Sequence, residues 1–113
     1  MHEMSLMAGM LEIIEDTARQ EGFARVERVI LEIGRLSGVE AEAMRFAFDV
    51  GTHGSVAQGA ELVIQETPGK GRCPACGRNS PLAAFYDACP HCGRYPMEVL
   101  AGREMRILSL DVE

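Results

Sequence analysis

Along residues 4 to 21 the apolar positions Met7, Leu11, Ile14 and Ala18 recur at steps of three and four, which collects them into one narrow stripe at about 100° per residue. The pattern predicts an amphipathic helix with Met4 and Met10 on its flanks, Gly22 as its stop and Arg19 suited to the dipole of its last turn. From Arg25 to Arg35 the period drops to two. Val29, Leu31 and Ile33 alternate with Arg28, Ile30 and Glu32, as in a strand with one face buried. After a "GRLSG" turn, residues 40 to 51 return to helical spacing, with Ala43, Phe46, Ala47 and Val50 on one stripe. "GTHGSVAQG" reads as a loop, in which His53 is a turn residue, and Ala60 to Thr67 as a second strand. "PGKG" at 68 to 71 is a hinge by composition, and "REMRILSLDV" closes the chain as a third strand with Leu108, Leu110 and Val112 on one face.

Element lengths then place the ends. A helix of about 18 residues and a strand of nine or ten both span roughly 27–30 Å. A chain that descends in the first helix and returns in the first strand therefore brings residues 34 to 42 back to its own amino terminus. The second helix and strand repeat the excursion, so the two strands are parallel through a right-handed crossover, and the last strand is antiparallel. The expected fold class is α+β, with two helices on a three-stranded mixed sheet and an inserted four-cysteine module. On this plan the cysteine module also leaves the sheet at the end where the chain starts.

The cysteines are the strongest chemical signal. Cys73 and Cys76 lie in "CPACGR", Cys89 and Cys92 in "CPHCGR", and 12 residues separate the pairs. Two residues between cysteines let one tight turn aim both sulfurs at a point, and a second such turn completes a tetrahedron. Pro74 and Pro90 pre-set each turn, and Gly77 and Gly93 suit the left-handed position after it. Four thiolates leave no open coordination position, so the role is structural. Zinc is the preferred ion, and rubredoxin-type iron uses similar knuckles. A pair of disulfides or a thioredoxin-like redox motif fits less well, because a redox site needs a single CxxC. His91, inside the second knuckle, reads as a spacer facing solvent.

The start, "MHE", offers a second metal chemistry. A free amine, the amide nitrogen of residue 2 and Nδ1 of His2 form two fused chelate rings in one plane. The Glu3 amide, the Glu3 carboxylate or water completes the tetragonal field that Ni(II) or Cu(II) prefers. Methionine removal requires a small second residue, so the bulky His2 keeps Met1 in place. Glu40 and Glu42 stand as further carboxylate donors at that end, or as acidic residues favoured by the start of the second helix. The three-residue spacing of Met1, Met4, Met7 and Met10 winds around the helix, which suits core packing better than a thioether site.

Composition narrows the function. With 113 residues, 47% of them apolar, the chain suits one domain with at most a small appended module. Its net charge of −6 disfavours binding to phosphate backbones or anionic membranes. Neither a long apolar run nor an export signal is present, so a cytoplasmic protein is expected. No Walker loop, nucleophile elbow or HExxH motif points to an enzyme. A nucleic-acid zinc ribbon and a rubredoxin-like electron carrier are the alternative classes.

The segments "MHEMSL", "EIGRLSGVEAEAMRFAFDV", "GAELVIQETPGKGRCPACG", "CPHCG" and "GREMRILSLDVE" together resemble the HypA/HybF family of hydrogenase nickel-incorporation proteins, across essentially the whole chain. The resemblance implies a nickel metallochaperone for maturation of [NiFe]-hydrogenase, and of urease in some organisms. It further implies nickel on Met1, His2 and Glu3 and zinc on Cys73, Cys76, Cys89 and Cys92. The implied partners are a nickel-handling GTPase and the precursor of the hydrogenase large subunit, with no nucleic acid or membrane. The corresponding division is a nickel-binding α+β domain of residues 1–68 plus 99–113 and a zinc-binding ribbon of residues 69–98.

Overall fold

The structure is a computed structural model that describes residues 3–113. In chain order its elements are α1 (Glu3–Glu21), β1 (Val26–Gly34), α2 (Ala41–Gly51), β2 (Glu61–Thr67), β3 (Gly69–Arg72), β4 (Asn79–Leu82), β5 (Glu98–Ala101) and β6 (Met105–Val112). They form two helices and two three-stranded sheets, ordered β2-β1-β6 and β4-β3-β5. The first of these is the mixed sheet of an α+β fold. Arg28 of β1 reaches Glu61 at the start of β2, and Arg35, just past β1, donates its N–H to the Thr67 carbonyl at the end of β2, so these two strands are parallel. The Glu113 N–H bonds the Arg25 carbonyl, and the Gly34 N–H bonds the Glu104 carbonyl at the opposite end, so β6 is antiparallel to β1. Among the described residues no helix is long and apolar enough to cross a membrane.

Two compact units divide the chain. The first comprises residues through Leu31, Val39–Gln65 and Arg106–Glu113. Its core is formed by Met7, Met10, Ile14 and Ala18 of α1, Val26, Val29 and Leu31 of β1, Met44, Ala47 and Phe48 of α2, and Ala57 and Leu62. The stripe expected on α1 is therefore present, with Met10 more deeply buried than Leu11. On α2 the expected stripe is displaced. Phe46 is 67% exposed and Val50 46% exposed, while Met44, Ala47 and Phe48 face inward. The segment is apolar nearly all round, so periodicity alone permits either face. Packing decides between them. Gly51 abuts Leu11 and Met7 of α1, and Arg45 on the opposite side donates to the Leu62 carbonyl at 3.0 Å. Burying Met44 and Phe48 is worth roughly 1.5–3 kcal/mol each.

With Glu3 close to Glu40 at one end and Leu11 close to Gly51 at the other, the two helices run in the same direction. On the central strand Arg28 grips Glu61 at 2.7 Å and Asp111 at 2.8 Å, bridging both neighbouring strands with exposed pairs of modest worth.

The second unit comprises Glu32–Gly38 and Glu66–Met105. Here the sequence "PGKG" is not a hinge. Gly69–Arg72 is the central strand β3, paired antiparallel with β4 through Gly69↔Leu82 and Gly71↔Ser80, and with β5 through Gly71↔Val99 and Arg72↔Glu98. Its glycines serve proximity rather than freedom: a Cβ on Gly71 would stand 2.6 Å from Cδ1 of the buried Leu82. Pro81 lies on an edge strand, where the missing N–H costs no ladder bond. The core of this unit is Leu36, Leu82, Met97 and two of the cysteines, Cys73 and Cys89, with Val99 packed against it.

Candidate metal centre

The repeated hexads fold into congruent turns. In the first, the Gly77 N–H donates to the Cys73 carbonyl at 2.7 Å and the Cys73 N–H to the Arg78 carbonyl at 2.9 Å. In the second, Gly93 donates to Cys89 and Cys89 to Arg94, both at 2.8 Å. Gly77 has φ +77° and Gly93 φ +78°, the left-handed conformation that favours glycine at each knuckle's end. Each turn places its first cysteine in the core and its second at the surface: Cys73 and Cys89 are buried, Cys76 and Cys92 exposed.

All four are free thiols whose sulfurs lie within 4.8 Å of one another. Across the knuckles, Cys73 Sγ is 3.5 Å from Cys92 Sγ, and Cys76 Sγ is 3.7 Å from Cys89 Sγ. Sulfurs bound at about 2.3 Å to a tetrahedral ion are about 3.8 Å apart, so this donor set already has nearly the dimensions of a tetrathiolate metal site.

The knuckle amides prepare thiolates. The Cys76 amide, helped by a hydrogen bond with Cys92 and by the Ala75 amide, overcomes burial and pulls Cys73 down from 9.0 to about 6. Burial opposes ionisation at Cys89 as well, yet the Cys92 and His91 amides lower its pKa. At Cys92 the Arg94 amide pulls downward, but hydrogen bonding with Cys73, burial and the other cysteines push the thiol up to about 11. Four neighbouring sulfurs cannot all become anions without a cation among them. His91 is exposed, as expected of a spacer. Its N–H lies 3.4 Å from Cys89 Sγ, and its Nδ1 is 3.3 Å from Arg78.

Of the amino-terminal donor group, Met1 and His2 lie outside the described residues. Glu3 opens α1, and its carboxylate accepts the backbone N–H of Glu40 at 3.1 Å. This contact brings residue 3 to the start of α2, where element lengths placed the segment 34 to 42. Residue types alone carry no signal for it, because it joins positions 37 apart through a main-chain donor. Glu42 stands in the first turn of α2 and pairs with Arg45 at 3.9 Å, an arrangement that suits a helix start. His53 is exposed in its loop, as a turn residue would be. The sequence also gave no sign of the Asp87 carboxylate, which accepts the Ala83 and Ala84 N–H groups and shapes the connection between the knuckles.

A family model described as "Hydrogenase/urease nickel incorporation, metallochaperone, hypA" matches residues 1–112. The chain belongs to the HypA family. It is similar to the hydrogenase maturation factors HypA of Dechloromonas aromatica, at 50% identity, and of Albidiferax ferrireducens, at 54%, each over 113 residues and the full length of both proteins. The solution structure of the Ni metallochaperone HypA from Helicobacter pylori superposes with a TM-score of 0.72 at 28% identity, covering 99% of this chain and 97% of that one. HypA proteins are nickel-incorporation metallochaperones, a family of carriers rather than catalysts. Membership therefore favours metal handling over the electron-carrier and nucleic-acid readings of the knuckles.

Proposed function

We propose that this HypA protein holds Ni(II) at its amino terminus and delivers it, in the cytoplasm, for maturation of [NiFe]-hydrogenase, with urease as a second client. The observation that carries the reading is the family match, which includes residue 1. The Met1 amine, the His2 amide and His2 Nδ1 supply three nitrogens of a planar site, and Glu3 or water supplies the fourth donor. Such a site at a chain end opens one ligand at a time, so a receiving protein can capture the ion by exchange without releasing it to solvent. A nickel-handling GTPase and the precursor of the hydrogenase large subunit are the proposed receivers.

The four cysteines would hold Zn(II), which supplies charge neutralisation and a closed tetrahedral junction and leaves no position for substrate. Their own contribution is to aim four sulfurs at one point and to close the core around two of them. A zinc ribbon is assigned to residues 69–98, which lie within the larger second unit of Glu32–Gly38 and Glu66–Met105, and nickel handling to residues 1–68 with 99–113.

The test is a nickel titration of untagged, natively terminated protein beside His2→Ala and a variant carrying one extra residue ahead of Met1. Both changes are expected to abolish the planar Ni(II) absorption. Uptake equal to that of the unaltered protein would refute the site. Because an imidazole of reference pKa about 6.5 and an amine of about 8 must both lose protons, affinity is expected to fall steadily as pH drops through that range. Calorimetry that finds it flat would exclude this chelate.

A further inference from the structure

The start of α2 lacks the usual local support. Glu40 is its N-cap, with φ −84° and ψ 121°, and no side chain caps the helix from that position. In a capping box the residue three positions into the helix returns a carboxylate to the N-cap amide. In α2 that position is Ala43, which has nothing to return. The missing carboxylate comes from the other helix. Glu3 Oε2 accepts the Glu40 N–H at 3.1 Å, while the Glu40 carbonyl begins the helix by accepting from Met44 at 2.9 Å.

We propose that Glu3 is a positioning residue for the nickel site: its carboxylate completes, from α1, the capping box of α2, and so fixes the point from which Met1 and His2 act. The inference rests on the amino-terminal nickel site proposed above. A hydrogen bond from a backbone amide to a carboxylate is of the stronger, charge-assisted kind, and here it also satisfies both helix starts with one negative charge. It keeps the first turn of α1, which opens at Glu3, from fraying. It also engages one oxygen of the Glu3 carboxylate, Oε2.

The test separates the Glu3 acceptor from the Glu3 charge, and the Glu40 donor from its side chain. Glu3→Gln keeps an acceptor oxygen and Glu3→Ala removes it. Glu40→Pro removes the N–H at a φ close to proline's own and is read against Glu40→Ala, because both lose the side chain and only proline loses the donor. In metal-free protein, Glu3→Ala is expected to accelerate hydrogen exchange at the Glu40 amide about tenfold or more, and Glu3→Gln to restore protection. With NiSO4 and a native terminus, Glu3→Ala is expected to weaken binding about tenfold. Glu40→Pro should fall below Glu40→Ala by a similar factor, and the Glu3→Ala/Glu40→Pro pair should be no weaker than either alone. The free peptide MHEMSL, which has no α2, should bind nickel equally with Glu or Ala at position 3. If Glu3→Gln loses nickel as Glu3→Ala does and the peptide shows the same loss, the carboxylate is a ligand and the proposal is wrong. It is equally wrong if Glu3→Ala leaves both exchange and affinity unchanged. Nickel uptake insensitive to His2 would instead remove the site itself, and the exchange data would then report only on the cap.

Discussion

At Cys73 the knuckle amides hold the thiol at about 6, whereas Cys92 is pushed up to about 11. The Cys73 value lies below the ordinary 9.0, so its thiolate persists above about 6 and is lost as pH falls through that point. A bound metal competes with the proton and moves loss of the site further toward acid. Substituting cobalt(II) and following its thiolate-to-metal absorption is therefore expected to show a full signal at neutral pH that is lost as pH falls into the acid range. A midpoint near 9 would contradict this arrangement of amides. Gly71 provides a second residue-level check. A methyl group there meets Leu82, which is only 2% exposed and cannot move aside, and approaches the Glu98 carbonyl at 3.2 Å. Gly71→Ala is expected to cost about 1–3 kcal/mol, read as a lower urea midpoint for the second unit. Sequence composition marked this glycine as a hinge because it reports only what the local backbone is free to do. That a neighbouring leucine needs the space is information held by residues far along the chain.

Among the elements, β1 was legible to the residue: Val29, Leu31 and Ile33 are buried in a central strand, where alternation is enforced from both sides. The edge strand β6 was legible only as a strand. Leu108 and Val112, expected on a common apolar face, are each 43% exposed. Strands β3, β4 and β5 have four residues apiece, too few for a period of two to stand out, and none was anticipated. The rotation of α2 has a measurable consequence. Met44→Ala is expected to destabilise the first unit by about 2–5 kcal/mol, because it empties a fully buried site. Phe46→Ala, on the exposed face, should change stability by no more than about 0.5 kcal/mol. Equal losses in thermal unfolding would mean that the face inferred from periodicity is the buried one after all.

For the molecule as a whole, the four-cysteine site was the most legible feature, because a CxxC turn is local and its repetition survives without any knowledge of the fold. Its energetic role was hidden, since only packing shows that Cys73 and Cys89 belong to the core of the second unit beside Leu36, Leu82 and Met97. Metal there is expected to contribute to folding itself. A strong metal chelator should collapse the amide dispersion of residues 69–101 while the far-ultraviolet signal of α1 and α2 persists, because the core around α1 and α2 contains no cysteine of the candidate site. Parallel loss of both signals would show that the two units do not fold separately.

The common direction of α1 and α2 bears on how cargo is surrendered. Two helices that start side by side turn two partial positive charges, each about half an elementary charge, toward the same spot. In the amino-terminal site proposed above, a divalent cation just ahead of Glu3 would feel that field opposed only by nearby carboxylates such as Glu3, so its retention would lean heavily on its donor bonds. On that proposal, once a recipient broke one of those bonds the remaining helix field would favour departure over recapture.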